Sequence, residues 1–248
     1  MNKPDYLYMI EELEMSLGQL KILEGNCING LEDIRKLQKE VKVFASDVES
    51  TLDYLAYFLY EKIYLPKFVS DGLSDEKIES KNRNVSFPFV KYSNKFEKDL
   101  NKRFPNITID YPELSQLFRD VQPMNYSPLM KSWFYIANQL GNESKHRKLT
   151  LIDDRKDAFI ENIELPNNNI FKNNTFINVK NPIVINGVPL TEHSAESLGG
   201  KNFRGVITAY YIIENYHLKL IETLEWIFVN LTKLVNDIHG EFVKLDIS

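Results

Sequence analysis

The residues of this chain whose types and spacing suggest chemistry lie in one stretch, WFYIANQLGNESKHRKLT from Trp133 to Thr150. At ~100° per residue, Trp133, Ile136, Ala137 and Leu140 form one apolar stripe. Asn142 and His146 are four apart, so their side chains lie one turn from each other on a second face. Lys145, Arg147 and Lys148 add a compact positive charge suited to phosphate. Arg147, seven residues after Leu140, falls close to the apolar stripe and there needs an acidic partner, because an unpaired buried charge is costly. The competing reading is that Gly141 ends the helix and Asn142 caps another, leaving KHRK as a solvated end.

An acidic partner is available. Glu49 and Asp53 are four apart on one face of a long apolar pattern, with Asp47 nearby. Such carboxylates act as an acid/base pair, bind a metal, or neutralise a basic residue on a neighbouring helix. The last role is the expectation here, with Asp53 or Glu49 meeting Arg147.

Several long helices must position these groups. Residues 4 to 24 carry Ile10, Leu13, Leu17 and Leu20 at helical spacing, and Gly25 and Gly30 mark a bend or break. The pattern resumes from Leu31 through Ile34, Val41, Phe44, Val48, Leu52, Leu55 and Leu59, and Pro66 is expected to close it. VSDGLSDEKIESKNRN reads as a charged loop, FPF at Phe87 to Phe89 as an extended segment, and Phe96 to Phe104 and Tyr111 to Val121 as short helices. VQPMNYSP makes a proline-punctuated turn into the central helix. Beyond Thr150 the period changes. Leu149 to Ile152 and Phe159 to Leu165 read as strands, the asparagine-rich PNNNIFKNNTFINVKN as turns and short extended pieces, and VITAYYII at 206 to 213 as a strand. Ile183 to Leu190 is a hairpin, because Asn-Gly supplies the positive φ angles of a type I′ turn. The last helix, roughly Tyr216 to Phe242, has a stripe of Leu220, Leu224, Ile227, Leu231, Leu234 and Ile238. The expected fold is mainly α, a helical bundle with a small antiparallel β-sheet inserted before the C-terminal helix. It is read as a single domain: 1–150 the helical part with the KHR motif, 151–213 the β-rich insertion, 214–248 the helix that completes the bundle.

Composition bounds the partners. Of 248 residues, 43% are hydrophobic and 12% aromatic, which argues for a folded chain, and a net charge of −5 gives no global attraction to nucleic acid. Phosphate contact has to come from a local patch, best Lys145 to Lys148 followed by Arg155 and Lys156. The single cysteine, Cys27, excludes an internal disulfide framework and reads as a small apolar residue on a helix face. Acids in MNKPDYLYMIEELEM break the apolar core that a signal peptide needs, and no run of ~18 apolar residues appears. A cytoplasmic protein without a membrane span is expected.

Several segments together resemble a widespread group of uncharacterised bacterial proteins in which a helix with an "LRSALDHL"-like stretch is followed by "FP", "QP" and "LxNxxKHR". The counterparts are Val48-Glu49-Ser50-Thr51-Leu52-Asp53-Tyr54-Leu55, Phe87-Pro88, Gln122-Pro123, and Asn142 through Lys145-His146-Arg147. More distantly, the last element is similar to HEPN domains, helical bundles, usually dimeric, of toxin–antitoxin and phage-defence systems, many of them metal-independent ribonucleases. Their motif is an arginine, commonly followed by asparagine, with a histidine four to six residues on. Here Asn142 and His146 keep the interval, but Gly141 stands where the arginine belongs, Glu49 replaces the arginine of the first helix motif, and Tyr54 replaces its histidine.

The resemblance implies an endoribonuclease or RNA-binding protein of bacterial stress or phage defence. His146 would be general base or acid, Asn142 its positioning residue, Arg147 with Lys145 and Lys148 the phosphate binders, and Glu49 and Asp53 supports. A homodimer would join two copies into one cleft, with RNA and an antitoxin or other defence-system protein as partners and no cofactor. The alternative is a non-catalytic interaction module in which Asn142, His146 and Arg147 form a buried polar network joining the helices. Metal-dependent hydrolysis is the weaker class. His146, His193, His217 and His239 are scattered, there is no HExxH, CxxC or phosphate loop, and Asp153-Asp154 with Glu161 and Glu164 fits a solvent-facing strand.

Overall fold

The apolar periodicity of the first sixty residues becomes two long helices in the computed structural model, which describes residues 3–145, 152–164, 170–180, 184–185, 188–189 and 201–247. Helix α1 spans Asp5–Ile28 and α2 spans Ile34–Leu59. Gly25 stays inside α1, and the break falls at Gly30, whose φ of +70° is the left-handed conformation that glycine adopts at least cost. Leu13, Leu17 and Leu20 of α1 and Val41, Phe44, Val48, Leu52, Leu55 and Leu59 of α2 are buried, as their spacing predicts.

Pro66 does not close α2. The chain passes through a π turn at Tyr60–Tyr64 into α3, Leu65–Ser70, with Pro66 in its first turn. The Leu65 N–H reaches five residues back to the Tyr60 carbonyl. The proline sits where its missing N–H costs least, so the helical path continues. The charged segment after it also differs from expectation. Asp75–Asn82 is a helix, α4, preceded by extended Ser74, with Asp75 and Glu76 in its first turn and Lys81 in its last, an arrangement that suits the helix dipole. It buries no side chain, which is why its sequence reads as loop.

Helices α5, Ser93–Arg103, and α7, Pro112–Asp120, fall where the pattern places them, with the short α6, Ile107–Asp110, between them. Two single 3₁₀ turns, Pro123–Asn125 and Leu129–Lys131, make the proline-punctuated entry to α8, Trp133–Lys145. The final helix, α9, is Leu220–Lys244, and the expected stripe from Leu220 to Ile238 is buried along it.

The β region is more regular than its composition suggests. Strands β1 (Ile152–Glu164), β2 (Ile170–Lys180), β5 (Lys201–Ile213) and β6 (Leu218–Lys219) form an antiparallel sheet in the order β2-β1-β5-β6. The asparagine-rich segment, expected as turns, supplies β2. Its register against β1 runs from Glu164↔Ile170 to Arg155↔Lys180 with one irregularity, so ladder pairing overrides the low strand propensity of asparagine. β3 (Val184–Ile185) and β4 (Val188–Pro189) pair antiparallel within the segment expected as a hairpin, and the turn expected at Asn186-Gly187 lies outside the described residues.

The chain is thus mainly α, with a small antiparallel sheet before the C-terminal helix. It divides into two compact units. One comprises Met1–Leu20, Gln38–Thr150 and Thr223–Ser248; the other comprises Lys21–Leu37 and Leu151–Glu222. In the second, the Glu24 carboxylate accepts the Tyr211 N–H at 3.2 Å, and Asp157 accepts the Tyr210 hydroxyl at 2.8 Å. Among the described residues no helix is long and apolar enough to cross a membrane.

Candidate functional site

The segments singled out by motif, far apart in sequence, are tied to one another in the first unit. Gln122 is fully buried, and its amide is satisfied on both sides. Its oxygen accepts the Val90 N–H at 2.8 Å, and its nitrogen donates to the carbonyls of Pro88 at 3.0 Å and Phe118 at 2.8 Å. The Phe87 N–H in turn donates to Asp53 Oδ1 of α2 at 3.0 Å. An extended segment has no ladder partner of its own, so these side chains supply the acceptors and donors that its backbone requires. Aromatic packing holds the same segment from the other direction. Phe87 lies 4.8 Å from Phe118 and 5.5 Å from Phe134, and Phe89 lies 5.1 Å edge-on to Phe134.

Helix α8 is fixed at its start by Ser132, whose buried hydroxyl accepts the Tyr135 N–H at 3.1 Å as an N-cap. Trp133, Ile136, Ala137 and Leu140 are buried, as the stripe predicts, and Phe134 is buried beside them. The helix does not stop at Gly141 but continues to Lys145, so Asn142 lies within it rather than capping a new one. The reason for glycine is a neighbour. A Cβ at position 141 would stand 2.4 Å from Glu49 Oε1 and 2.5 Å from its Cδ. Glu49 reaches onto α8 across the bare backbone of Gly141, which is also where the resemblance expects an arginine.

Around that contact the amides form a short chain. Asn142 Nδ2 donates to Asn138 Oδ1 at 3.0 Å, and Asn138 Nδ2 makes a long 3.5 Å contact to Glu49 Oε1. Burial pushes the carboxyl of nearby Asp47 above its usual range, and the charge of Glu12 adds to this. Of the two carboxylates expected as supports, Glu49 stands against Gly141 and Asn138, and Asp53 accepts the Phe87 N–H of the FP segment. His146, Arg147 and Lys148 lie outside the described residues, as does the side chain of Lys145. The expected pairing of Arg147 with Asp53 or Glu49 lies there too.

Asn142 also borders open space. A cleft of about 510 Å³ runs between α8 and the segment leading into α5, lined by Asn138, Gln139 and Asn142 on one side and by Phe89, Lys91, Tyr92 and Lys95 on the other. Lys91 Nζ stands 5.0 Å from the centre of the Tyr135 ring and 5.6 Å from that of Phe89, and Lys95 Nζ stands 5.4 Å from that of Tyr92. Asp99 at the cleft edge is held by Arg103 at 3.2 Å. Positive charge, exposed aromatic surface and side-chain amides in one groove suit a ligand with phosphates and flat polar rings.

Sequence reasoning missed this wall. The signal was present in FPFVKYSNK, where two lysines and three aromatic residues fall within nine positions from Phe87 to Lys95. It took Gln122 only as half of a Gln-Pro dipeptide and missed its structural role, because two of its three partners lie 32 and 34 residues away and leave no local pattern. In the second unit Asp153, pictured as part of a metal site, is paired with Arg155 at 2.8 Å. Comparison with family models, with curated proteins and with solved structures finds no match to this chain.

Proposed function

We propose that this chain is a HEPN-like RNA-acting protein, a metal-independent endoribonuclease of bacterial stress or phage defence, built on the C-terminal end of α8. The observation that carries the proposal is the position of Asn142. It lies at the wall of the lysine- and aromatic-lined cleft, four residues before the one histidine with a basic flank on either side. In this reading single-stranded RNA lies along the cleft. The His146 imidazole removes the 2′-hydroxyl proton, the 2′-oxygen attacks the adjacent phosphorus, and the bond to the 5′-oxygen breaks as that oxygen takes a proton from the His146 imidazolium of a second copy. The products are a 2′,3′-cyclic phosphate and a 5′-hydroxyl. Lys145 and Arg147 offset the charge that develops on the phosphorane, the role vacated at Gly141. A homodimer supplies the two histidines, and a neutralising antitoxin or defence-system protein is the expected protein partner.

The decisive experiment is RNA cleavage in EDTA with wild type and His146→Ala side by side. Wild type is expected to cleave and the variant to lose cleavage with an unchanged circular dichroism spectrum. Cleavage that survives in the variant rejects the assignment.

A second reading is supported by the chain from Asn142 through Asn138 to Glu49. Here the same residues are a structural network in a non-catalytic interaction module. It predicts that neither protein cleaves RNA and that His146→Ala lowers the unfolding temperature by several degrees, since breaking a satisfied polar network is costly.

A further inference from the structure

We propose that the cavity at the C-terminal end of α1, in the second unit, is a binding site for a small aliphatic ammonium ion, held by the Asp154 carboxylate and by the end of the helix itself. It does not depend on the RNA reading above.

The cavity measures about 240 Å³ and lies wholly within the second unit, bordered by Cys27, Ile28 and Gly30 at the helix end and by strands β1 and β5. Pockets for drug-sized ligands begin near ~300 Å³, so this one suits a smaller molecule. Its charge follows from the strand register. Asp154 stands opposite Tyr211 in the β1–β5 ladder, and Arg155 opposite Tyr210. Opposed side chains share a face and successive ones alternate, so Asp154, Ala209 and Tyr211 lie on one face of the sheet and Arg155 and Tyr210 on the other. On that other face Asp153 takes the Arg155 guanidinium at 2.8 Å, and Asp157 takes the Tyr210 hydroxyl at 2.8 Å. Cys27 and Asp154 both act on the Tyr211 phenol, which places the helix end over the first face.

Three features make this face negative. Among the described residues the Asp154 carboxylate, which lines the cavity, has no hydrogen-bond or ion-pair partner. Helix α1 is 24 residues long and has no basic residue in its last turn, so nothing on the helix offsets the roughly −0.5 elementary charge of its C-terminal end. Burial holds the Cys27 thiol above its usual range, and Glu32, Asp33 and Glu24 push it the same way against Lys36, which is itself paired with Glu32 at 2.7 Å. A cation between the helix end and Asp154 answers the first two of these at once. Ile28 and Ala209 give its carbon chain an apolar wall. A metal ion needs several oxygen or sulfur ligands, and among the described residues no three metal-ligating side chains come together, so the arrangement favours an organic cation.

Cys27 is the single cysteine of the chain and lines the cavity, so its labelling reports what enters there. The full chain is treated with 2-aminoethyl and 2-sulfonatoethyl methanethiosulfonate, and each rate, read by intact mass, is divided by that of the urea-unfolded chain. The cationic reagent is expected to be favoured about tenfold over the anionic one, because a cleft of one sign concentrates the opposite charge, and Asp154→Asn should cut that preference by about threefold or more. In wild type, n-butylammonium titrated through the millimolar range should slow labelling by uncharged iodoacetamide about tenfold, and potassium chloride at equal ionic strength should not. A cationic-to-anionic ratio near one in wild type, or equal slowing by potassium chloride, overturns the proposal without recourse to the variant. Equal slowing by magnesium chloride assigns the site to a metal ion and also overturns it. So do a charge preference and a protection that both survive unchanged in Asp154→Asn.

Discussion

Replacing Gly141 by alanine sets two effects of known sign against each other. Alanine in a helix interior is favoured over glycine by about 1 kcal/mol, so in open space the change would stabilise α8. The space is not open. The new Cβ would lie 2.4 Å from Glu49 Oε1, about 1 Å inside ordinary contact, and the carboxylate is the mobile party because it ends a flexible side chain. Its retreat lengthens a contact to Asn138 that already stands at 3.5 Å, and with it goes the acceptor at the end of the amide chain. A hydrogen bond to a charged group contributes about 1.5–3 kcal/mol, and the long geometry here argues for the low end. The net expectation is a destabilisation of about 0.5–1 kcal/mol for Gly141→Ala in the wild-type background. With Glu49→Ala the obstruction is gone, and the same substitution should stabilise by about 1 kcal/mol. The measurement is a double-mutant cycle from urea-unfolding midpoints followed by far-ultraviolet circular dichroism, and the coupling should be about 1.5–2 kcal/mol. If Gly141→Ala stabilises equally in both backgrounds, Glu49 does not lie over the helix at that point and the account of the glycine is wrong.

Two further outcomes follow from the buried groups. Gln122→Leu keeps the side-chain volume but leaves the Val90 N–H and the Pro88 and Phe118 carbonyls without their partner, so a loss of about 3 kcal/mol or more is expected, with faster hydrogen exchange at the Val90 amide; slow exchange there would refute the role assigned to the glutamine. Burial pushes the Tyr211 phenol up to about 12, with Cys27, Asp154 and Glu24 adding to the shift. The fold therefore holds this proton more tightly than the unfolded chain does: the contribution is complete below the ordinary tyrosine value near 10 and is lost as pH rises through 12. Tyr211→Phe should flatten that alkaline loss by up to about 2–3 kcal/mol, read from denaturant midpoints against pH alongside phenolate absorbance.

Helix periodicity was legible because burial in a bundle is written locally, every three or four residues, and Leu52, Leu55 and Leu59 need no distant partner to announce themselves. Glu49 and Asp53 stood out for a similar reason, as carboxylates on an otherwise apolar pattern. What could not be read depends on residues distant in sequence. Gly141 reads as a helix end until Glu49 is placed over it, Pro66 as a stop until the π turn precedes it, and the asparagines of β2 as turns until β1 pairs with them. Lys91 and Tyr92 of the cleft wall were written locally but in an extended segment, where there is no periodicity to give them a face, and Lys95 follows in the first turn of α5. Gln122 was noticed only as part of a weak dipeptide, and its function lies wholly in three backbone groups elsewhere.

The division of the chain into two units has a consequence for the order in which the protein is made. The second unit draws on Lys21–Leu37, the end of α1 and the beginning of α2, and on Leu151–Glu222. At ribosomal rates of ~5–20 residues per second, the first of these segments is synthesised roughly six to twenty-three seconds before β1 begins. For that interval Cys27 and Leu37, buried in the finished protein, have none of the strands of their own unit to pack with. The helical hairpin is a guest without its host during much of translation, and a nascent chain stalled after α8 would display it to whatever chaperone or second nascent chain is nearby.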